Sequence, residues 1–331
     1  MDFAEVGRSA LQVSKLGLGT MTFGAGKGFA GLRPKVGAAL AGEMVAAAAD
    51  HGVTVFDSSG HYNDGLAEEF LGQAIKNRRD RVTVSTKNLV LPVAAAGPVR
   101  AQIAASVEAS LRRLGVDAVD LYQVGVMDLG QPLDEVALGL DDVVRRSLVR
   151  HVGVTNLPAW RIERLAARAE RDGLAPIVAA QLSYSLLGRD IEFEFEPLLA
   201  DRGIGVVAWS PLAGGFLTGK YTRQDPDGRD GRLAHFRLQP IDREKGYDLV
   251  DILNEISATH RVAPAAVALA WAASKPFIST VVFGATTVDG LLANLEAADL
   301  ALSADEAARL DEASRPVKPY PYWLYPAGED R

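Results

Sequence analysis

The sequence predicts an α/β protein folded as a (β/α)8 barrel of the TIM type, with an N-terminal β-hairpin. Three observations carry this expectation. Eight short apolar runs recur along the chain, most of them rich in valine and isoleucine and without polar alternation, as suits strands covered on both faces of a parallel sheet. Amphipathic helical patterns separate these runs. The length of 331 residues suits one barrel domain over residues 1–331, because such a barrel needs about 250 residues plus insertions.

The opening 15 residues read as a hairpin that turns at Gly7-Arg8-Ser9 and plugs the barrel bottom. The eight runs follow as Leu16–Leu18, Val53–Phe56, Val82–Val84, Val119–Val124, His151–Val154, Ile177–Ala180, Ile204–Ala208 and Ser279–Phe283. Between the third and fourth, residues 98–115 carry Ile103, Val107, Leu111 and Leu114 on one helical stripe, with Pro98 suited to the first turn and Gly115 to the position after the last. Residues 159–172 repeat the scheme with Ile162, Leu165, Ala166 and Ala169, and end at Gly173. Helix, glycine, strand recurs at Gly52, Gly115, Gly173 and Gly203. The longest irregular stretch, Thr222–Pro240, follows the seventh run and suits a loop over a site.

Composition narrows the function classes. The chain is 48% hydrophobic and 23% charged, with a net charge of −7 and no dense basic run. That argues against a nucleic-acid partner. The absence of cysteine excludes disulfides, thiolate metal sites and a cysteine nucleophile. The five histidines are scattered, and HExxH does not occur. No bound metal is expected. The N-terminus lacks a basic region followed by an apolar run, and no stretch of about 18 apolar residues occurs. The expectation is a cytoplasmic protein with no membrane partner.

Two glycine-rich segments resemble phosphate-binding loops and fail as signatures. Gly24-Ala25-Gly26-Lys27-Gly28 is followed by Phe29 where a dinucleotide fingerprint needs its third glycine. Gly214 to Lys220 has the spacing of a nucleotide-triphosphate loop, but Tyr221 replaces the hydroxyl residue that would hold magnesium. The amides of this second segment, with Lys220, still suit a pyrophosphate.

Taken in order, several segments carry a more specific signal. They are VGRSALQVSKLGLGTMTFG at 6–24, FDSSGHYNDGLAEEFLGQAI at 56–75, STK at 85–87 and SLRRLGVDAVDLYQV at 110–124. VRHVGVTNL at 149–157, QLSYSLLGRD at 181–190, AWSPLAGGFLTGKY at 208–221 and FGATTVDGLLANLEA at 283–297 continue the series, which closes with YPYW at 320–323. Over nearly its whole length the chain thus resembles the aldo-keto reductases.

The resemblance implies an NAD(P)(H)-dependent oxidoreductase that interconverts a small carbonyl compound (aldehyde, ketone or sugar-like) and an alcohol. By resemblance Tyr62 is the general acid and base, Lys87 supplies the positive charge that makes a phenol with an ordinary pKa of about 10 useful near neutrality, and Asp57 orients Lys87. The family usually ends LYQ(I/V) with a histidine that bonds the substrate carbonyl. Gly125 stands there instead, which removes a donor and is expected to leave space beside the reacting carbon. His61 is a candidate replacement in the substrate pocket.

For the cofactor, resemblance assigns Trp209 to an aromatic platform under the nicotinamide and Thr155, Asn156 and Gln181 to its carboxamide. Thr20, Met21 and Asp57 belong to the nicotinamide-ribose end, and Ser210, Pro211, Leu212, Gly214 and Lys220 to the pyrophosphate. At the adenine end Gly284 and Asn294 match, but Thr286 and Gly290 occupy places where the family commonly has lysine or arginine. Missing cations remove partners for a 2′-phosphate. NADP(H) is the family default and NAD(H) a competitor. Gly125 also keeps open a redox-neutral epimerase or lyase with a retained dinucleotide, and a cofactor-binding regulatory subunit with little turnover.

Overall fold

The computed structural model describes residues 1–25, 35–126, 130–226, 228 and 240–325. Strands β1 (Phe3–Glu5) and β2 (Gln12–Ser14) form an antiparallel hairpin. Eight parallel strands then close a barrel in chain order. They are β3 (Leu16–Gly19), β4 (Val55–Asp57), β5 (Thr83–Val90), β6 (Val119–Val126), β7 (Val149–Thr155), β8 (Ile177–Ser183), β9 (Gly205–Trp209) and β10 (Ile278–Phe283). Closure comes from β10, which pairs with β3 through Val281 opposite Leu16 and with β9 through Val282 opposite Trp209. Each of the eight predicted runs overlaps a strand, and seven of the strands extend further toward the C-terminal rim than their runs.

The helices follow from the apolar stripes. Between β5 and β6, α4 (Val99–Leu114) buries Ile103, Val107, Leu111 and Leu114. Pro98 caps it from just outside the first turn, and Gly115 ends it in the left-handed conformation that disfavours a side chain. Ahead of it, α1 (Ala38–Asp50) precedes β4, α2 (Leu66–Ile75) precedes β5, and α3 (Val93–Ala96) is a single turn after β5. Then come α5 (Leu133–Arg145), α6 (Ala159–Arg171) and α7 (Ile191–Arg202), and after β9 the helices α8 (Arg243–His260) and α9 (Pro264–Ala273). The chain closes with α10 (Val288–Leu295) and α11 (Ala304–Ala313). On α6, Ile162, Leu165 and Ala169 are buried as the stripe requires, and Ala166 is half-buried. No described helix is long and apolar enough to cross a membrane.

The hairpin seals the N-terminal end of the barrel. Val6 and Val13 pack with Val55, Leu121, Val178, Val207 and Val282, which project inward from five strands. Gly7 turns with φ +59°, and a Cβ there would lie 2.3 Å from the Gly203 carbonyl oxygen, so the turn needs glycine on both counts. The stretch Thr222–Pro240, expected as a loop over a site, and the glycine-rich segment Gly24–Gly28 fall in part outside the described residues.

Candidate active site

β4 is short and β5 is long, and that mismatch builds the site. The last β4 rung pairs Asp57 with Ser85, after which the chain turns away through Ser58–Gly65 while β5 continues to Val90. Lys87 therefore lies inside its strand, three residues before the end rather than at it. Side chains alternate along β5, so Ser85, Lys87 and Leu89 face the barrel lumen. The overhanging edge finds partners in the turn. The Lys87 carbonyl accepts from Ser59 Oγ at 2.9 Å and from the Gly60 N–H at 3.2 Å, and the Leu89 N–H donates to His61 Nε2 at 3.2 Å.

Asp57 is 3% exposed and accepts three hydrogen bonds, from Lys87 Nζ at 2.5 Å, Ser85 Oγ at 2.9 Å and Gln181 Nε2 at 2.9 Å. Gln123 Nε2 in turn donates to Ser85 Oγ at 2.9 Å. Lys87 also donates to the Ser58 carbonyl at 3.0 Å, and its ammonium lies 5.0 Å from the centre of the Tyr62 ring. Burial works to lower the Lys87 pKa, but the Asp57 carboxylate and the Tyr62 hydroxyl outweigh it, and the value is raised. Lys87 is thus a lasting cation held between a carboxylate and a phenol, the arrangement that favours a charged phenolate over a neutral phenol. Thr20 closes the cluster on the β3 side, its N–H donating to the Asp57 carbonyl at 2.9 Å and its Oγ1 to Ser58 Oγ at 2.8 Å.

The backbone after Tyr62 is unusual. Asn63, Asp64 and Gly65 have φ of 52°, 56° and 90°, a left-handed run that costs energy at the two non-glycine positions. Asn63 offsets this by donating Nδ2 to the Met21 carbonyl at 3.2 Å and to that of Phe23. Behind the turn, the fully buried Glu68 accepts from Arg113 Nε at 2.7 Å and from Thr86 Oγ1 at 2.5 Å. A Cβ on Gly65 would lie 2.5 Å from Arg113 Cδ, so the arginine packs directly against the turn that carries Tyr62.

Gly125 is buried and pairs with Leu89 across β5 and β6. The space expected beside it is not open. A Cβ at position 125 would lie 2.7 Å from Leu89 Cδ2, 3.1 Å from Thr155 Cγ2 and 3.3 Å from the Thr155 carbonyl oxygen. The glycine is therefore covered by a neighbouring apolar side chain. A reading of one strand misses this, because the filler comes from the adjacent strand.

The residues assigned to a cofactor line the same rim. Thr155 and Gln181 are opposite each other in the β7–β8 ladder. Asn156 is left-handed (φ 54°), donates Nδ2 to Thr155 Oγ1 at 3.0 Å and accepts from Trp209 Nε1 at 2.9 Å, which fixes the half-exposed indole. After β9, Ser210, Ala213, Gly214, Gly215 and Gly219 all have positive φ. Ser210 Oγ accepts the Gly214 N–H at 3.3 Å, and Pro211 and Leu212 are buried beneath. A Cβ on Gly215 would lie 3.2 Å from Lys220 Nζ. Such a left-handed turn beside an ammonium suits an anionic group. Further round, Gly284 and Thr286 are exposed, Thr287 caps α10 by accepting the Gly290 N–H at 3.1 Å, and Asn294 is buried on that helix. Thr286 and Gly290 bring no cation. Among the described residues no cluster of metal-ligating side chains occurs.

Three residues of this cluster were not singled out from sequence: Ser85, Gln123 and Leu89. The first two sit inside quoted motifs, STK and LYQ, at positions whose alternation points them into the lumen. Gln123 Oε1 is buried without a hydrogen-bond partner among the described residues.

Residues 15–315 match the Aldo/keto reductase family. The chain is 31% identical over 328 residues, covering 94% of it and 95% of the relative, to the uncharacterized oxidoreductase YrpG of Bacillus subtilis. It is 34% identical over 309 residues, 93% of this chain and 91% of the relative, to an uncharacterized oxidoreductase of Mycobacterium bovis. It is also 32% identical over 317 residues, 91% of this chain and 92% of the relative, to a probable voltage-gated potassium channel subunit beta of Arabidopsis thaliana. With the closed eight-stranded barrel, these likenesses establish that the chain belongs to the aldo/keto reductase family.

Proposed function

We propose that the protein is an NADP(H)-dependent oxidoreductase, with NAD(H) a competing cofactor, that interconverts small carbonyl compounds and alcohols with Tyr62 as general acid and base. The observation that carries this reading is the Asp57–Lys87–Tyr62 cluster, in which a buried, paired ammonium lies against the phenol at the C-terminal rim, where (β/α)8 barrels hold their active sites. When bound, the dinucleotide supplies the hydride for the carbonyl carbon. Tyr62 provides the proton that the carbonyl oxygen needs, and Lys87 stabilises the phenolate left behind. Asp57 keeps Lys87 aimed, and Ser85, Gln123 and Gln181 keep Asp57 from turning.

The residues present fit a dinucleotide along most of its length. Trp209, fixed by Asn156, offers a flat half-exposed face for the nicotinamide ring. The left-handed turn at Ser210–Gly219 with Lys220 offers amides and a charge for the pyrophosphate. Gly284, Thr286, Gly290 and Asn294 would meet the adenine end without a cation for a 2′-phosphate, which is why NAD(H) competes.

A second reading is motivated by Gly125 and by the relatives named as probable channel beta subunits in Arabidopsis thaliana and rice. In it the protein binds the cofactor and turns over little. Titrating wild type and Trp209→Leu with NADPH and NADH separates the readings when combined with a panel of aldehydes and ketones. The oxidoreductase reading expects quenching of indole fluorescence, weaker binding in the variant, comparable affinity for both cofactors, and steady oxidation of reduced cofactor with at least one carbonyl. Tight binding with no turnover favours the regulatory reading. An unchanged signal and affinity in Trp209→Leu removes Trp209 from the site.

A further inference from the structure

A backbone N–H on a strand edge needs a partner, and the Leu89 N–H finds one in a side chain. β5 outruns β4, and past the last shared rung the edge is closed by His61 Nε2 at 3.2 Å. On its other edge Leu89 is paired with Gly125. Its half-exposed side chain faces the mouth, with Cδ2 2.7 Å from the point a Cβ of residue 125 would occupy. His61, Leu89 and Gly125 therefore form one row across the rim, immediately beside Tyr62.

We propose that His61 is a positioning residue that pins Leu89 over Gly125, giving the substrate pocket a close apolar wall that selects unbranched aldehydes over ketones with a bulky group on the carbonyl carbon. The proposal rests on the oxidoreductase reading and adds the substrate class to it. An aldehyde presents only hydrogen on one side of its carbonyl, whereas a ketone must place carbon there. The Leu89 wall offers no donor, so a hydroxylated substituent would lose its water partners against it. Hydrophobic pockets discriminate a methylene by about 10–200-fold.

The pin needs a neutral imidazole. Nε2 accepts only while unprotonated, and the ring proton then resides on Nδ1. Among the described residues, the charged groups that act on the ring are Arg113 from α4 and Glu68 from α2; Tyr62 is the next residue in the chain, and Lys87 lies on the strand that carries Leu89. Burial first, and then the Arg113 guanidinium, hold the His61 pKa below the ordinary imidazole value, with Glu68 working the other way. A lowered value keeps the ring neutral at physiological pH. The pin is complete above the ordinary imidazole value and is lost as pH falls through the lowered one.

Two readouts test this on the full-length protein. The first is amide exchange at Leu89, measured by nuclear magnetic resonance in wild type, His61→Phe and His61→Gln, whose Oε1 can replace Nε2 as acceptor. Leu89 is expected to be protected in wild type and in His61→Gln, and its protection factor, referred to the intrinsic exchange rate at each pH, is expected to be at least about tenfold lower in His61→Phe or in wild type at acid pH. The second is the ratio of kcat/KM for a straight-chain aldehyde to that for an aryl ketone. The ratio is expected to fall about tenfold in His61→Phe and in Leu89→Ala, and to recover in His61→Gln. Unchanged Leu89 exchange in His61→Phe overturns the pin. Faster exchange with an unchanged ratio overturns the selectivity while leaving the oxidoreductase reading intact. A wild type inert toward every carbonyl sinks that reading and the substrate class together, and the exchange measurement still decides the pin.

Discussion

The two ends of the barrel solve opposite problems with the same strands. At the N-terminal end the hairpin drives Val6 and Val13 among inward-facing Val55, Leu121, Val178, Val207 and Val282. The buried Asp120 is matched there by Arg79 and Arg150, each at 2.8 Å, and by the Val84 N–H at 2.8 Å. At the C-terminal end the paired carboxylate is Asp57, but its lysine leads on to a half-buried phenol and the backbone beside it is left-handed. Each end has a buried carboxylate with cationic partners. Only at the C-terminal end does the pair touch a group with a proton to give. A buried ion pair is therefore no sign of function by itself; what it faces decides.

The largest expected effect separates the two ends directly. Tyr62→Phe is expected to cut carbonyl reduction by about 10²–10⁴ while cofactor affinity and Tm stay near wild type. A variant that reduces its substrate at the wild-type rate would remove Tyr62 from the chemistry.

At the other end the pattern reverses. Asp120→Asn strands two arginines at the closed end and is expected to cost about 3 kcal/mol of stability, read as a lower denaturation midpoint, with kcat/KM preserved for the protein that remains folded. Equal losses of activity and stability would mean that the ends are coupled and the comparison too sharp.

The smallest effect concerns Gly125. The sequence suggests a vacancy that a histidine could use, whereas Leu89 occupies it. Gly125→His is expected to cost about 1–3 kcal/mol from overpacking. Leu89→Ala should relieve that cost, and only in the double variant should a restored donor raise aldehyde reduction, by up to about 10². A single variant that is as stable as wild type would show that Leu89 moves aside freely.

Much was legible in one dimension because it rests on local rules. The eight apolar runs, the helix–glycine–strand joins and the Gly7 hairpin each express a periodicity or a backbone preference of a few residues, and all are in the structure. Asp57, Tyr62 and Lys87 were legible as motif positions, and the fold brings them into one cluster. Packing between strands was not legible. Gly125 reads as an absence from its own strand alone, although its contacts are set by register with β5 and by Thr155 of β7.

The same division holds for the site as a whole. Sequence by itself determined the kinds of groups available: one phenol, one ammonium and one carboxylate near the ends of adjacent strands, and a glycine where a donor is usual. Tertiary structure decided how they act. The difference in length between β4 and β5 set Lys87 back from the strand end and left an edge N–H for His61 to hold. Strand register then carried Leu89 over Gly125. Chemical identity is written residue by residue, but proximity depends on closing the barrel, which brings together side chains from strands far apart in the chain.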